Sequence, residues 1–284
     1  MKEMVCIRCT KVIVTFFIIF FVVPAWAETL TKNYSFGVVP QQSSLRLAKL
    51  WGPVFAFISK ETGVKLQFKT AKNIPEFEKR LAEGGYDFAY MNPYHFTVFN
   101  RDPGYRAVAV RKDQPIKGII VVRKDNAIQS LTELDGQTLA FPAPAAFAAS
   151  ILTRAQLSRD NVSFSAKYVS SHDSVYLGVA KGLFPAGGGV VRTFNNTSPE
   201  VKKQLKVLWT SAAFTPHAIA AHPRVNEDVY QLVQKALVAM KSDPKGKALL
   251  ASLKLNKGLI VAVDSDWDDV RGLGIDLLSR LMRQ

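Results

Sequence analysis

The chain has 284 residues, 48% hydrophobic and 21% charged, with a formal net charge of +14. That length is long for one hydrophobic core and natural for two lobes. The positive charge admits nucleic acid, a membrane surface or an acidic ligand as partner. No Arg/Lys run, zinc-ligand spacing or aromatic-basic interleaving supports nucleic acid, and an excess of lysine reads equally as a solvated face.

Residues 1–27 read as a signal peptide rather than as part of the fold. Lys2, Arg8 and Lys11 precede the apolar run from Val12 to Val23, and Ala25-Trp26-Ala27 supplies the small residues of a cleavage site. The run is short for a bilayer span, and the rival reading is an uncleaved anchor. Cleavage near Ala27 puts the mature chain in the periplasm. It removes Cys6 and Cys9, the two cysteines, and with Glu3 and the three cations lowers the formal charge from +14 to +12.

The elements then alternate. Tyr34 to Pro40 is a strand. A helix follows with Leu47, Trp51, Val54 and Ile58 at helical spacing, interrupted at Gly52-Pro53 and stopped by Gly63. Val64 to Thr70 alternates apolar and polar as a strand with one dry face. Asn73 is placed to cap a helix that closes on Gly84-Gly85, and Tyr86 to Met91 is the next strand. Strand-helix-strand repetition of this kind makes a parallel sheet with right-handed crossovers.

Two strands, "YRAVAV" and "KGIIVVR", lie close together. After the capping pair Ser130 and Glu133 the pattern restarts with strand "TLAFPA", a helix from Ala145 to Ser158, strand "SFSAKYVS", helix "DSVYLGVAKGL" and the buried strand "GGVV". "KVLWTSAAFTPHAIAAHP" crosses back, and two amphipathic helices (Val225 to Ser242, Lys245 to Leu253), a strand and a last helix finish the chain. The order predicts an α/β fold of two lobes, each a mainly parallel sheet flanked by helices. Residues 28–121 and 213–284 form the first lobe, and 122–212 the second. A ligand cleft lies between them, beyond the carboxyl ends of the strands.

Several stretches carry a family resemblance: "YDFAYMNPYHF", "AFPAP", "SSHDSVYLGVAKGLFPAGGGVV", "FGVVPQQSSLRLAKLWGPVFAFISKETG" and "DSDWDDVR". In this order they resemble the phosphate/phosphite/phosphonate-binding proteins of ABC importers. The resemblance implies a periplasmic solute-binding protein of the two-lobed periplasmic-binding-protein fold, without cofactor, that closes on a small oxyanion or related solute and delivers it to an inner-membrane permease. The alternative is the same fold serving as the sensory partner of a membrane signalling protein.

The family's oxyanion turn carries Asp-Pro and then Ser and Thr hydroxyls, where this chain has Ala145, Ala146, Phe147, Ala148 and Ala149. Pro185 stands where the family often has an acidic residue, and Gln41 or Gln42 where a tyrosine is common. The expected ligand-binding set is therefore Gln41, Asn92, Tyr94, Ala146, Phe147, Ala148, Ser171 and His172, with backbone amides surviving and hydroxyl donors lost. Within this set Ser171 also reads as a helix cap, and Tyr94 equally as a packing residue. His217 reads as structural at the hinge. His95 and His222 have no partners at metal-ligand spacing. A catalytic triad built on Ser171 or Ser174 needs a separately oriented base, which neighbours on the chain do not supply, so no enzyme is expected.

Overall fold

The computed structural model describes Met1 and residues 32–278; the signal-peptide reading lies outside the described residues. The strands are β1 (Asn33–Val38), β2 (Lys65–Lys69), β3 (Phe88–Met91), β4 (Arg106–Arg111), β5 (Gly118–Arg123), β6 (Gln137–Phe141), β7 (Phe164–Tyr168), β8 (Ala186–Val190), β9 (Leu205–Thr210), β10 (Ala218–Ala221) and β11 (Leu259–Val261). They form a six-stranded sheet ordered β11-β4-β10-β3-β1-β2 and a five-stranded sheet ordered β7-β6-β8-β5-β9. In the first sheet β1 to β4 run one way against β10 and β11. In the second, β6 to β9 run one way against β5. Both sheets are therefore mixed, with two parallel and three antiparallel pairings in the first and two of each in the second.

Among the helices, α1 (Ser44–Thr62), α2 (Ile74–Ala82) and α3 (Pro93–Phe99) follow β1, β2 and β3. In the second lobe α4 (Thr153–Arg159) continues a wide π-type turn over Phe147–Leu152, and α5 (His172–Ala180), α6 (Val191–Asn195) and α7 (Pro199–Lys202) come after it. The chain returns to the first sheet for α8 (Glu227–Ala239), α9 (Pro244–Ser252) and α10 (Asp268–Arg271). Asn73 caps α2 as its sequence predicts, its side chain accepting from the Glu76 amide at 2.9 Å.

Two local readings change. The break expected at Gly52-Pro53 does not occur, and α1 runs through both residues. An interior proline costs about 3 kcal/mol. Trp51, Val54, Phe55 and Ile58 are all buried on that helix, and each contributes about 1.5–3 kcal/mol, so burial wins. The helix expected from Ala145 starts instead at Phe147 with a π turn, in which the Ile151 amide reaches the Ala146 carbonyl.

The chain crosses between the sheets twice, after β4 and after β9, where Ile116 and Phe214 pair as an antiparallel bridge. Residues 118–121, assigned to the first lobe on sequence, lie in β5 and pair with β8 and β9 in the second sheet. A short gap between two strands looks like a hairpin in sequence, whereas β5 pairs with β8, 64 to 72 residues further on, and with β9, 82 to 91 residues further on.

The first lobe's core includes Phe36, Trp51, Phe55 and Phe88 and extends to Ala143, Ala145–Ala149 and Val190 of the second lobe. The start of the π turn is thus packed against the first lobe. Two smaller clusters cover the faces of the second sheet.

Candidate functional site

Strand ends of both lobes meet at a small cavity with about 10 Å³ of free space, room for about one water. Gln41 and Asn92 reach it from the ends of β1 and β3. Ala146 to Ala149 and His172 reach it from the helix starts of the second lobe, and His217 from the second crossover. Among the described residues, no hydroxyl side chain and no carboxylate lines it.

The helix start sits this close to the sheet because two glycines allow it. A Cβ at Gly118 would overlap the carbonyl oxygen of Ala148, and one at Gly188 that of Ala149. The amides of Ser150 and Ile151 bond to Ala146. The amides of Phe147, Ala148 and Ala149 meet no acceptor among the described residues. They are the unpaired donors that any helix start presents.

His172 is 1% exposed. Its Nδ1 is 3.1 Å from Thr193 Oγ1, which lies 2.8 Å from the Tyr176 hydroxyl and 3.0 Å from the Val190 carbonyl. Its Nε2 is buried without a partner among the described residues. Burial first, and then Arg192, pulls the ring's pKa down to about 3. His217 is also driven well below its usual value, by burial and then by Arg192 and Arg111. Both rings are neutral at pH 7.

Gln41 and Asn92 hold the lobes together. Gln41 Oε1 accepts from Arg192 Nη2 at 2.7 Å, which orients the amide so that Nε2 donates to His217 Nε2 at 3.0 Å. The His172 amide donates to the Gln41 carbonyl at 3.1 Å. Asn92 Nδ2 donates to the Ala145 carbonyl at 3.2 Å, while its Oδ1 caps α3 through the His95 amide at 2.8 Å. Away from the cavity, Arg46 of α1 bonds the Asn196 carbonyl of the second lobe.

Of the eight residues singled out in the sequence, Gln41, Asn92, Ala146, Phe147, Ala148 and His172 line this one cavity. Two do not. The Tyr94 hydroxyl accepts from the amides of Leu277 and Leu278 at 2.7 and 3.0 Å and so anchors the C-terminal segment. Helical geometry turns it away, since Asn92 as N-cap occupies the cleft edge and Tyr94, two positions on, faces elsewhere. Ser171 caps α5, accepting from the Ser174 amide at 3.0 Å. Sequence reasoning missed Arg192, and it read His217 as structural at the hinge. The only available signal for Arg192 was its place just past the glycine-rich strand "AGGGV".

Two neutral buried histidines carry a pH dependence. Where a base has a depressed folded pKa, the unfolded chain binds protons first as pH falls, so stability declines between the unfolded and folded values. For His172 that window runs from 6.5 down to about 3. Each such ring costs about 1.4 kcal/mol per pH unit within its window. Urea unfolding at pH 7, 6 and 5 should show falling stability, and His172→Gln/His217→Gln should flatten the slope. An unchanged slope in the variant would mean the rings are not the cause.

The phosphonate ABC-transporter periplasmic substrate-binding proteins match over residues 36–267. The phosphate-import protein PhnD of Mycolicibacterium smegmatis is 22% identical, over 86% of each chain. In fold, the chain is similar to PhnD1 of Prochlorococcus marinus in complex with methylphosphonate, with a TM-score of 0.78 and 18% identity over 86% of this chain and 97% of that one. It is equally similar to a binding-protein component of an ABC phosphonate transporter from Pseudomonas aeruginosa, with a TM-score of 0.78 and 18% identity over 85% of each chain. With more than half of its length matched and two mixed α/β sheets meeting at a cleft, this chain belongs to the family of phosphonate ABC-transporter periplasmic substrate-binding proteins.

Proposed function

We propose that the protein captures a small solute between its lobes by hinge closure and presents it to a membrane permease, and that its cleft is poorly suited to phosphate or a simple alkylphosphonate. One observation carries this reading: the amides of Phe147, Ala148 and Ala149 and the partnerless Nε2 of His172 converge on a cavity with no hydroxyl side chain in its wall. Because the Thr193 hydroxyl donates its one proton to the Val190 carbonyl, His172 Nδ1–H donates to Thr193 Oγ1, and Nε2 faces the ligand as an acceptor for a protonated phosphonate oxygen. The donors are then backbone amides and neutral side chains.

Such a set holds an oxyanion weakly. Each hydrogen bond to a charged group contributes about 1.5–3 kcal/mol, and the family's hydroxyls are replaced here by the methyl groups of Ala146 and Ala148. Phe147 does not stand free to stack on a ligand, because its ring already meets Phe214 edge-on at 5.5 Å between centroids. It forms part of the wall. The preferred ligand is therefore less charged at the helix start, or larger than methylphosphonate and held by further contacts.

Calorimetry with phosphate and methylphosphonate tests the reading. Weak, salt-sensitive binding is expected, with His172→Ala lowering it by about a further tenfold, the worth of one such hydrogen bond. Tight binding that salt does not weaken would contradict it.

A further inference from the structure

Beside the cleft, on the face where the two crossovers run, lies a second cavity of about 310 Å³. That is within the range of ~300–1,000 Å³ usual for small-molecule sites. Four cations from separate parts of the chain border it: Arg111 at the end of β4, Lys117 in the first crossover, Arg192 in α6, and Lys254 after α9. No Asp or Glu among the described residues borders it. Among the described residues, none of the four lies within 4.0 Å of a carboxylate.

The two arginines are held by oxygens that carry no charge. Arg111 bonds the carbonyls of Gln114, through Nε, and Pro115, through Nη2 at 2.8 Å. Among the described residues the Arg192 guanidinium bonds only the side-chain carbonyl of Gln41, at 2.7 Å. Burial lowers the Arg111 pKa, and the charge of Arg192 pushes in the same direction. Like charges brought together without counter-charge repel, and an anion between them reverses the sign of the interaction.

This cavity and the cleft share Ile116, Val190 and His217, and Gln41 stands between them. We propose that the hinge cavity binds the second acidic group of a two-headed organic anion whose first group lies at the Phe147 helix start. The ligand class is then a phosphonocarboxylate or a bisphosphonate, not a monofunctional alkylphosphonate. The second head displaces Gln41 Oε1 from Arg192 and bridges Arg111 and Lys254 of the first lobe to Arg192 of the second. This rests on the cleft reading above and supplies the further contacts that the alanines leave wanting.

Calorimetry with methylphosphonate, phosphonoacetate and 3-phosphonopropionate tests it. At least one two-headed probe should bind about tenfold or more tightly than methylphosphonate, the effect of one charge-assisted contact. In Lys117→Gln/Lys254→Gln, at two exposed positions, and separately in Arg111→Gln, that advantage should shrink while methylphosphonate binding stays unchanged. A thermal melt confirms that each variant folds. No advantage in the unmodified protein, or an advantage that survives both variants, overturns the hinge site, and a loss of methylphosphonate binding in His172→Ala still supports the cleft. If the two-headed probes depend on the cations but not on His172, the hinge site stands and the cleft reading falls. If no probe binds, both fall.

Discussion

Ala146→Ser/Ala148→Ser should bind methylphosphonate about a hundredfold more tightly than the unmodified protein in calorimetric titration. Ala146 is the residue that precedes the π turn, with extended backbone at φ −68° and ψ 95°. A hydroxyl there accepts from a free helix-start amide, as N-caps do, and turns its own proton toward the cavity. A hydroxyl at position 148 adds a second donor beside the amides of Phe147 and Ala149. Each bond to a charged oxygen contributes about 1.5–3 kcal/mol, or roughly ten- to a hundredfold in affinity. Two neighbouring bonds add incompletely, which sets the expectation near a hundredfold. Both side chains are buried, so binding must part the lobes slightly and the on-rate should stay close to that of the unmodified protein. Unchanged affinity in a variant that folds would mean that these methyl groups do not face the ligand, and the account of a disarmed turn would be wrong.

Gly188→Ala should be severely destabilising and should abolish binding. The added Cβ overlaps the carbonyl oxygen of Ala149 and crowds the ring of Phe141, which it approaches to 2.7 Å. Neither neighbour yields easily. The carbonyl is backbone, and Phe141 is fully buried in the second lobe's core. Overpacking of a core costs about 1–3 kcal/mol where side chains can adjust, occasionally more, and here the backbone must move, so the loss should lie at or above the upper end. Relief comes only by lifting the π turn off the sheet, which carries the amides of Phe147 to Ala149 away from the cavity. Gly118→Ala acts on the same turn through Ala148 and should behave alike. Gly52→Ala is the control, because no atom outside the helix lies within 4 Å of its added Cβ. The measurements are melting temperature and calorimetric affinity. Near-normal binding by Gly188→Ala would show that the helix start need not sit where it does.

Much of this molecule is written in local pattern. Alternation in Val64 to Thr70, the spacing of Leu47, Trp51, Val54 and Ile58, and the cap at Asn73 each reflect distances within one or two turns or pleats, which the chain sets by its own geometry. The alanines from Ala145 to Ala149 at the start of the second lobe's first helix are equally a matter of reading along the chain. So are Gln41, Asn92 and His172, which stand at strand ends and helix starts, where a parallel sheet directs its loops toward a ligand.

What the sequence alone did not decide is which of several neighbouring side chains faces inward, and what comes to meet it. Tyr94 is two residues from Asn92, yet its hydroxyl holds the amides of residues 183 and 184 positions away. Gln41 is oriented by Arg192, 151 residues distant, and meets His217, 176 residues distant. Gly118 and Gly188 earn their meaning only from carbonyls that a returning helix brings over them. Local propensity carries no term for contacts of this kind, because they exist only after both lobes have folded and closed. The sequence therefore determined the alternation of elements, the family and the run of alanines at the helix start, while the tertiary structure alone decided the inward-facing residues and gathered the cations at the hinge.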